Sequence, residues 1–593
     1  MAKEEVGIRV LAVAHGGRQG SCAARTANPP RGIVPDGKGG YVRVQFFSAF
    51  ILAISFFLLG FRWANLRVDG GLSYVGYSAS GIDARRPGGL GKFDITPSLL
   101  LFNDAVKLWA DAHWRSDEKK FRQPQTRVVI NPKWAWGSFY LYDFTPEFTQ
   151  YTLSGTKIRG AGVDIYSGGF KLFVVYGKAK RATVNSGENA SFTREIWGVK
   201  VGGGREESSH LYLTFLDVND KEKTLPQERV YRDTISTDSI TVIPPESTIT
   251  TTPKNGVNVS LDGKVSLWKQ KVLLSGEVAT ALYTRDKRAG DIKGFEIPGW
   301  ARNIIDVNFS THYDYAYNVN SDFAFGPVGL KASYYRLGPG YISLGLASFI
   351  PDKTGFETEL RLRFLKGRLG FKGGFKSEHD NLLDQKIYTT TKTQPSLSFY
   401  TSFKNININL NLSRLTYSND SPNETTKVDN RSLNTDVTIS NIVQIGTSRK
   451  LRNSLSFNFS NSQDKNGLRA QNETQNYRIA LHTALDLTPS YSFLAGYSFT
   501  RTDFVRQNLK SDINGITLGA KWSPMKKLVF SPTVGFNLSD NLSSTIINIS
   551  SNYKLAKYFT LFGELKGNLV NSKISTVKDF REWTGECGIN LKF

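Results

Sequence analysis

The chain closes on EWTGECGINLKF, residues 582–593, and the reading of this stretch sets the reading of the rest. Trp583, Gly585, Cys587, Ile589, Leu591 and Phe593 fall on one side of an extended strand; Thr584, Glu586, Gly588, Asn590 and Lys592 fall on the other. Side chains alternate across a strand with period two, so one face is apolar and the other polar. The stretch ends on the aromatic residue, with no polar tail after it.

The same period recurs upstream. NININLNLS places Ile406, Ile408, Leu410 and Leu412 on one face and Asn405, Asn407, Asn409 and Asn411 on the other. SLSFNFSNS repeats it with Leu455, Phe457 and Phe459, RIALHTALDL with Ile479, Leu481 and Leu485, and FTLFGELKGNL with Phe559, Leu561 and Leu565. From about residue 66 onward no helical stripe of about ten residues or more interrupts the pattern.

Alternation alone does not separate soluble from membrane sheets, but strand length does. These segments run to about 9–14 residues, against about 5–6 for an average soluble strand and about 9–11 for a tilted membrane-spanning one. Tight turns are expected at 366–367, 404–405, 488–490, 524–526 and 555–557, and long polar loops at 377–394, 419–431, 462–475 and 502–510. Short turns on one side and long loops on the other is the outer-membrane pattern. Aromatics, 12% of the chain, cluster at strand ends, as in YSFLAGYSFTR with Tyr491, Phe493, Tyr497 and Phe499. There the rings can sit at headgroup level.

In lipid every backbone donor and acceptor must be paired, so an open sheet edge is excluded. The expectation is therefore an all-β protein, a single large antiparallel transmembrane β-barrel of about 22–26 strands whose last strand pairs with its first. Strand parity fails between residues 337 and 355, where LGPG and PDKTG cannot both be turns; a miscounted strand, a bulge or an inward fold would each account for it. Residues 217–255 form the longest irregular stretch and read as a large extracellular loop or as a linker.

Upstream of the strands, FFSAFILAISFFLLGF at 46–61 is an apolar run flanked by Arg43 and Arg62. A full helical span needs roughly 20 residues, so this suits a secretory signal core better. The assignment is residues 1–41 as a mis-set or disordered leader, 42–64 as signal peptide with Ala64 as a candidate cleavage position, and 65–593 as barrel. The alternative is a signal anchor carrying a cytoplasmic arm. Only two cysteines occur, Cys22 and Cys587, so no disulfide framework is expected.

The formal charge of +23 raises nucleic acid, anionic lipid or acidic substrates as partners. The cations are spread without a nucleic-acid reading motif, so nucleic acid is not expected. Catalytic and cofactor signatures are also missing. The six histidines carry no metal-ligand spacing, GYSASG at 76–81 lacks the register of a nucleophile elbow, and GGLGK at 88–92 lacks phosphate-loop spacing. DVNDKE from Asp217 lacks the central glycine of a calcium loop. No enzyme activity, metal or cofactor is expected.

The strongest constellation is TELRLRFLKGRLGFKGGFK. Leu360, Leu362 and Phe364 share one face with Arg361 and Arg363 on the other; Leu369, Phe371 and Phe375 oppose Arg368, Lys372 and Lys376. If the apolar face meets lipid, five cations line the lumen and would favour anions. Matching carboxylates on neighbouring strands would instead make the charges part of lumenal packing.

ECGINLKF, with Ile589, Leu591 and Phe593 in register, resembles the C-terminal assembly signal of bacterial outer-membrane β-barrels. That resemblance implies a Gram-negative outer membrane, recognition by the barrel-assembly machinery and periplasmic chaperones, and contact with outer-membrane lipid and lipopolysaccharide. LSGTKIRGAGVDIYSGGFKLFVVYGKAKRA at 153–182 is similar to uncharacterised outer-membrane proteins of the Bacteroidota–Chlorobiota type. No TonB box or soluble plug domain is recognisable. The functional expectation is a porin-like conduit favouring anionic solutes or an acidic polymer. The alternatives are a structural sheath around a protein partner, such as a multihaem cytochrome or a secretion complex, and an outer-membrane hydrolase.

Overall fold

The computed structural model describes residues 65–82, 88–101, 106–116, 127–183, 190–225, 251–290, 307–468, 473–573 and 578–592. The leader and signal positions 1–64 and the terminal Phe593 lie outside the described residues.

Among the described residues, twenty-six strands, numbered β1 to β26 in chain order, each pair antiparallel with the next. They run from 8 residues (Arg127–Trp134) to 17 (Asp429–Ile445). β26 (Phe580–Lys592) then pairs back onto β1 (Asn65–Ser80), with Ser73 opposite Gly588 and Tyr74 opposite Cys587. The sheet is a closed antiparallel barrel without a free edge, at the top of the expected strand range. Among the described residues the only helical turns are three 3-10 turns, Glu222–Thr224, Leu365–Gly367 and Val505–Gln507.

Connections sort by barrel end. Turns from even-numbered to odd-numbered strands are tight, none longer than 205–209, and every extended loop lies at the other end. Several expected boundaries move. β21 (Tyr491–Phe504) and β22 (Leu509–Met525) leave only 505–508 as a connection, so most of the loop expected at 502–510 is strand. For the same reason the turn expected at 524–526 falls at 526–527. β9 (His210–Lys221) and β10 (Asn255–Leu267) shorten the 217–255 loop to 222–254, of which 226–250 lies outside the described residues. Polarity misled here: Asp217 accepts from Trp197 Nε1 at 2.8 Å, and Asp220 takes Arg194 Nε at 2.7 Å. Each carboxylate finds a partner on a neighbouring strand, so the charged run stays in the ladder.

The two faces of the sheet are inverted relative to a soluble protein. Leu211, Leu213, Val259 and Leu261 are exposed, while Thr214, Asn258, Ser260 and Asn318 on the opposite face are buried. An outward apolar band around a polar interior is the transmembrane arrangement. Aromatics mark its edges, with Trp268 and Phe325 in contact (centroids 6.4 Å apart) beside one tight turn and Phe403 and Phe559 beside others.

Parity is restored between β13 (Val328–Leu337) and β14 (Lys353–Phe364), because 338–352 is one connection at the long-loop end. It turns inward, as does 145–157. The two segments meet at a bridge between Ser154 and Leu346. Ser343 Oγ donates to the Thr152 carbonyl at 2.6 Å, and the Tyr341 hydroxyl donates to the Tyr151 carbonyl at 2.8 Å. Against the wall they bury Leu153, Ile158, Ile196, Leu216 and Val218. These lumen-facing apolar residues are thereby removed from water, which stabilises the docked segments. Gly345 sits so close that a Cβ there would lie 2.6 Å from Leu216 Cδ2 and 2.6 Å from the Thr152 carbonyl.

Candidate functional site

The lumen wall is the surface able to meet a cargo. Its most charged part spans β12 (Thr311–Phe325) to β16 (Thr390–Phe403). Pairing places Asp322 opposite Lys331, Lys331 opposite Glu359, and Arg361 opposite Lys372. Lys331 Nζ lies 3.3 Å from Asp322 Oδ2, and Arg361 Nη2 lies 3.3 Å from Asp322 Oδ1. Glu359 reaches both Arg361 Nε at 3.1 Å and Lys372 Nζ at 2.6 Å. A second group centres on Glu378, with Lys376 at 3.5 Å, Lys392 at 3.6 Å and the Tyr335 hydroxyl donating at 2.7 Å.

Four of the five expected cations, Arg361, Arg363, Lys372 and Lys376, therefore alternate with Leu360, Leu362, Phe371 and Phe375 as the sequence suggests. Three of the four are paired with carboxylates. Arg363 carries no ion pair among the described residues; with Asp322 and Arg361 it lines a recess of about 220 Å³. Arg368 is a correction. The connection takes 365–368, with Leu365, Lys366 and Gly367 at positive φ, and Arg368 closes the turn instead of joining the wall. The partners Glu359 and Glu378 were visible two residues from Arg361 and Lys376 on the same face; Asp322 was not, because only pairing brings it near.

Farther round the ring the wall becomes largely neutral. Across β17 (Ile406–Asn419), β18 (Asp429–Ile445) and β19 (Arg449–Asp464), Asn407 faces Ser440, Asn409 faces Thr438, and Asn434 faces Ser460. Asp436 interrupts this surface and accepts from Asn458 Nδ2 at 2.6 Å. Amide and hydroxyl groups both donate and accept, so this surface hydrates readily and holds no fixed charge sign.

At the long-loop end, Asp352 ties the inward connection to loop 381–389. It takes Lys386 Nζ at 2.5 Å and the backbone N–H groups of Leu382 at 2.9 Å and Asn381 at 3.2 Å. Burial alone would raise its carboxyl, but these donors hold it below the usual carboxylate range. Burial pushes the nearby Tyr151 hydroxyl up to about 12. Among the described residues no group of three His, Cys, Asp or Glu is placed to hold a metal.

A closed ring of 26 strands with an outward apolar band, aromatic edges and extended loops confined to one end leaves one reading. The chain is a β-barrel of the Gram-negative outer membrane. No protein-family model and no curated protein matches it. Solved structures do. A mutant of the ferric enterobactin receptor PfeA from Pseudomonas aeruginosa matches at TM-score 0.40 and 8% identity, covering 89% of this chain and 80% of that one. OccAB3 from Acinetobacter baumannii matches at 0.29 and 11%, covering 58% and 93%. An anion-selective porin from Comamonas acidovorans matches at 0.24 and 13%, covering 44% and 93%. The architecture rests on the closed ladder and not on these likenesses.

Proposed function

We propose that this barrel is a porin-like conduit that passes hydrophilic solutes across the outer membrane with a mild bias toward anions. The observation that carries the reading is the polar lumen wall, above all the amide and hydroxyl surface of β17 to β19. Barrels of about 16–18 strands already enclose aqueous channels, and 26 strands enclose a wider space. The bias toward anions is mild because Arg361, Lys372 and Lys376 each sit beside a carboxylate, leaving Arg363 as the unpaired cation of the group. Planar-bilayer recording of refolded protein tests this. Stepwise conductance with a small reversal potential of anionic sign supports the conduit; a protein that inserts and stays silent overturns it.

A structural sheath is the second reading, favoured by ring width. A barrel of about 22 strands holds a folded plug, so a 26-strand barrel can surround a partner of at least that size. Silence in bilayers together with stoichiometric copurification of one periplasmic protein, such as a multihaem cytochrome or a secretion component, would establish it.

A further inference from the structure

Among the described residues, paired and unpaired cations are unevenly distributed along the barrel axis. At the long-loop end several cations are neutralised locally, while Lys465 and Lys573 meet no carboxylate among the described residues. Lys386 takes Asp352 and Asp380, Lys427 takes Glu424 at 3.0 Å, Arg506 takes Glu473 at 3.3 Å, and Lys287 takes Glu222 at 3.3 Å. At the tight-turn end, Lys269, Lys366, Lys404, Arg449, Lys527 and Lys557 are all exposed. None of them meets a carboxylate among the described residues. Each sits in or beside a different turn, from 268–271 through 365–368, 404–405, 446–448 and 526–527 to 555–558. The unpaired cations thus form a rim spread around much of the ring.

Their immediate neighbours are membrane-edge aromatics. Lys404 Nζ lies over the ring of Phe403 at 5.8 Å, and Phe403 is 62% exposed on the lipid-facing side. Lys557 Nζ lies over Tyr558 at 4.9 Å, next to the exposed Phe559. Lys269 follows Trp268, which is 68% exposed. Aromatic rings of this kind settle at headgroup level, so the ammonium groups lie at the depth of lipid phosphates. Tight turns face the periplasm.

We propose that the tight-turn rim binds anionic phospholipid headgroups of the periplasmic leaflet, through Lys269, Lys366, Lys404, Arg449, Lys527 and Lys557. A bilayer surrounds the whole circumference, which matches cations spread from turn to turn. A docked acidic protein would call for a cluster on one arc or around the mouth. The proposal is independent of what passes through the lumen. Unpaired cations gain from a negatively charged surface, whereas ion-paired ones at the far end do not.

The test reconstitutes the full chain in nanodiscs of phosphatidylcholine with a minor share of phosphatidylglycerol. The readout is the ratio of the two lipids retained after brief detergent extraction. Enrichment of phosphatidylglycerol that collapses in high salt is expected. It should fall at least about tenfold when the six rim cations are changed to Gln, as in Lys269→Gln and Lys404→Gln. A variant with the five lysines changed to Arg should keep it, as should Lys465→Gln with Lys573→Gln at the long-loop end. Heat-modifiable gel migration verifies that each barrel is folded. Equal retention of the two lipids by the unaltered protein overturns the proposal, and so does enrichment that survives the Gln changes. Loss of an acidic periplasmic protein from the Gln variant with lipid enrichment unchanged would assign the rim to that partner and overturn it equally.

Discussion

Glu359 is held between two cations on adjacent strands, with Oε1 3.1 Å from Arg361 Nε and Oε2 2.6 Å from Lys372 Nζ. Both contacts arise because β14 and β15 (Leu369–Asp380) place Arg361 directly opposite Lys372, with Glu359 two residues away on the same face. The carboxylate offsets a repulsion that the register would otherwise impose.

Glu359→Gln should therefore leave Lys372 without a carboxylate and Arg361 with Asp322 alone. Anion-over-cation permeability is expected to rise by a few-fold, read as a shift in reversal potential across a salt gradient that shrinks at high ionic strength. Thermal stability should change by no more than about 1 kcal/mol, since partly exposed ion pairs contribute little. An unchanged reversal potential would show that this cluster is not on the conduction path.

Asp352 predicts the behaviour of loop 381–389 with pH. Its folded-state pKa is depressed, so its contribution is present above the unfolded value and lost as pH falls through the lower folded one. Proteolysis within the loop should stay slow at neutral pH and accelerate only below the usual carboxylate range. Asp352→Asn should accelerate it at neutral pH, since a charge-assisted tie of about 1.5–3 kcal/mol is lost.

Gly345 allows the inward segments to close on the wall. Gly345→Val should push 338–352 off Leu216 and Thr152 at a cost of about 1–3 kcal/mol. Single-channel conductance should increase and 338–352 should become protease-sensitive while the barrel stays heat-modifiable. Unchanged conductance would mean that these segments do not restrict the lumen.

Barrel closure can be tested through Cys587, a free and exposed cysteine opposite Tyr74. Directly opposed residues lie about 4.5–5.5 Å apart, within the range a disulfide spans. In a Cys22→Ser background, Tyr74→Cys should form an intramolecular disulfide on mild oxidation, seen as a gel-mobility shift reversed by reductant. Moving the new cysteine to Leu72 should abolish it, because Leu72 faces Ile589 instead.

Much of the architecture was legible because period two is a local property. NININLNLS and FTLFGELKGNL show their two faces without reference to any other strand, and Ile589 and Leu591 fall in the closing strand as read. The errors arose where local polarity competes with the ladder. The 217–255 and 502–510 stretches look like loops because charged residues seldom tolerate burial, yet Asp217 and Asp220 in the first, and Arg501 and Asp512 flanking the second, each find a partner across a strand.

The sequence by itself determined a closed membrane barrel. Alternation, strand length and the contrast between tight turns and long loops are written along the chain, and lipid forbids an unpaired edge. Tertiary structure alone decided what the lumen presents. Whether Arg361 and Lys372 act as free charge or as paired charge depends on Asp322 and Glu359 arriving beside them, and strand register sets those distances. The inward course of 338–352 stood in the sequence only as one of three ways to restore parity, because its anchors Thr152 and Leu216 lie far away in sequence and meet it only once the ring has closed.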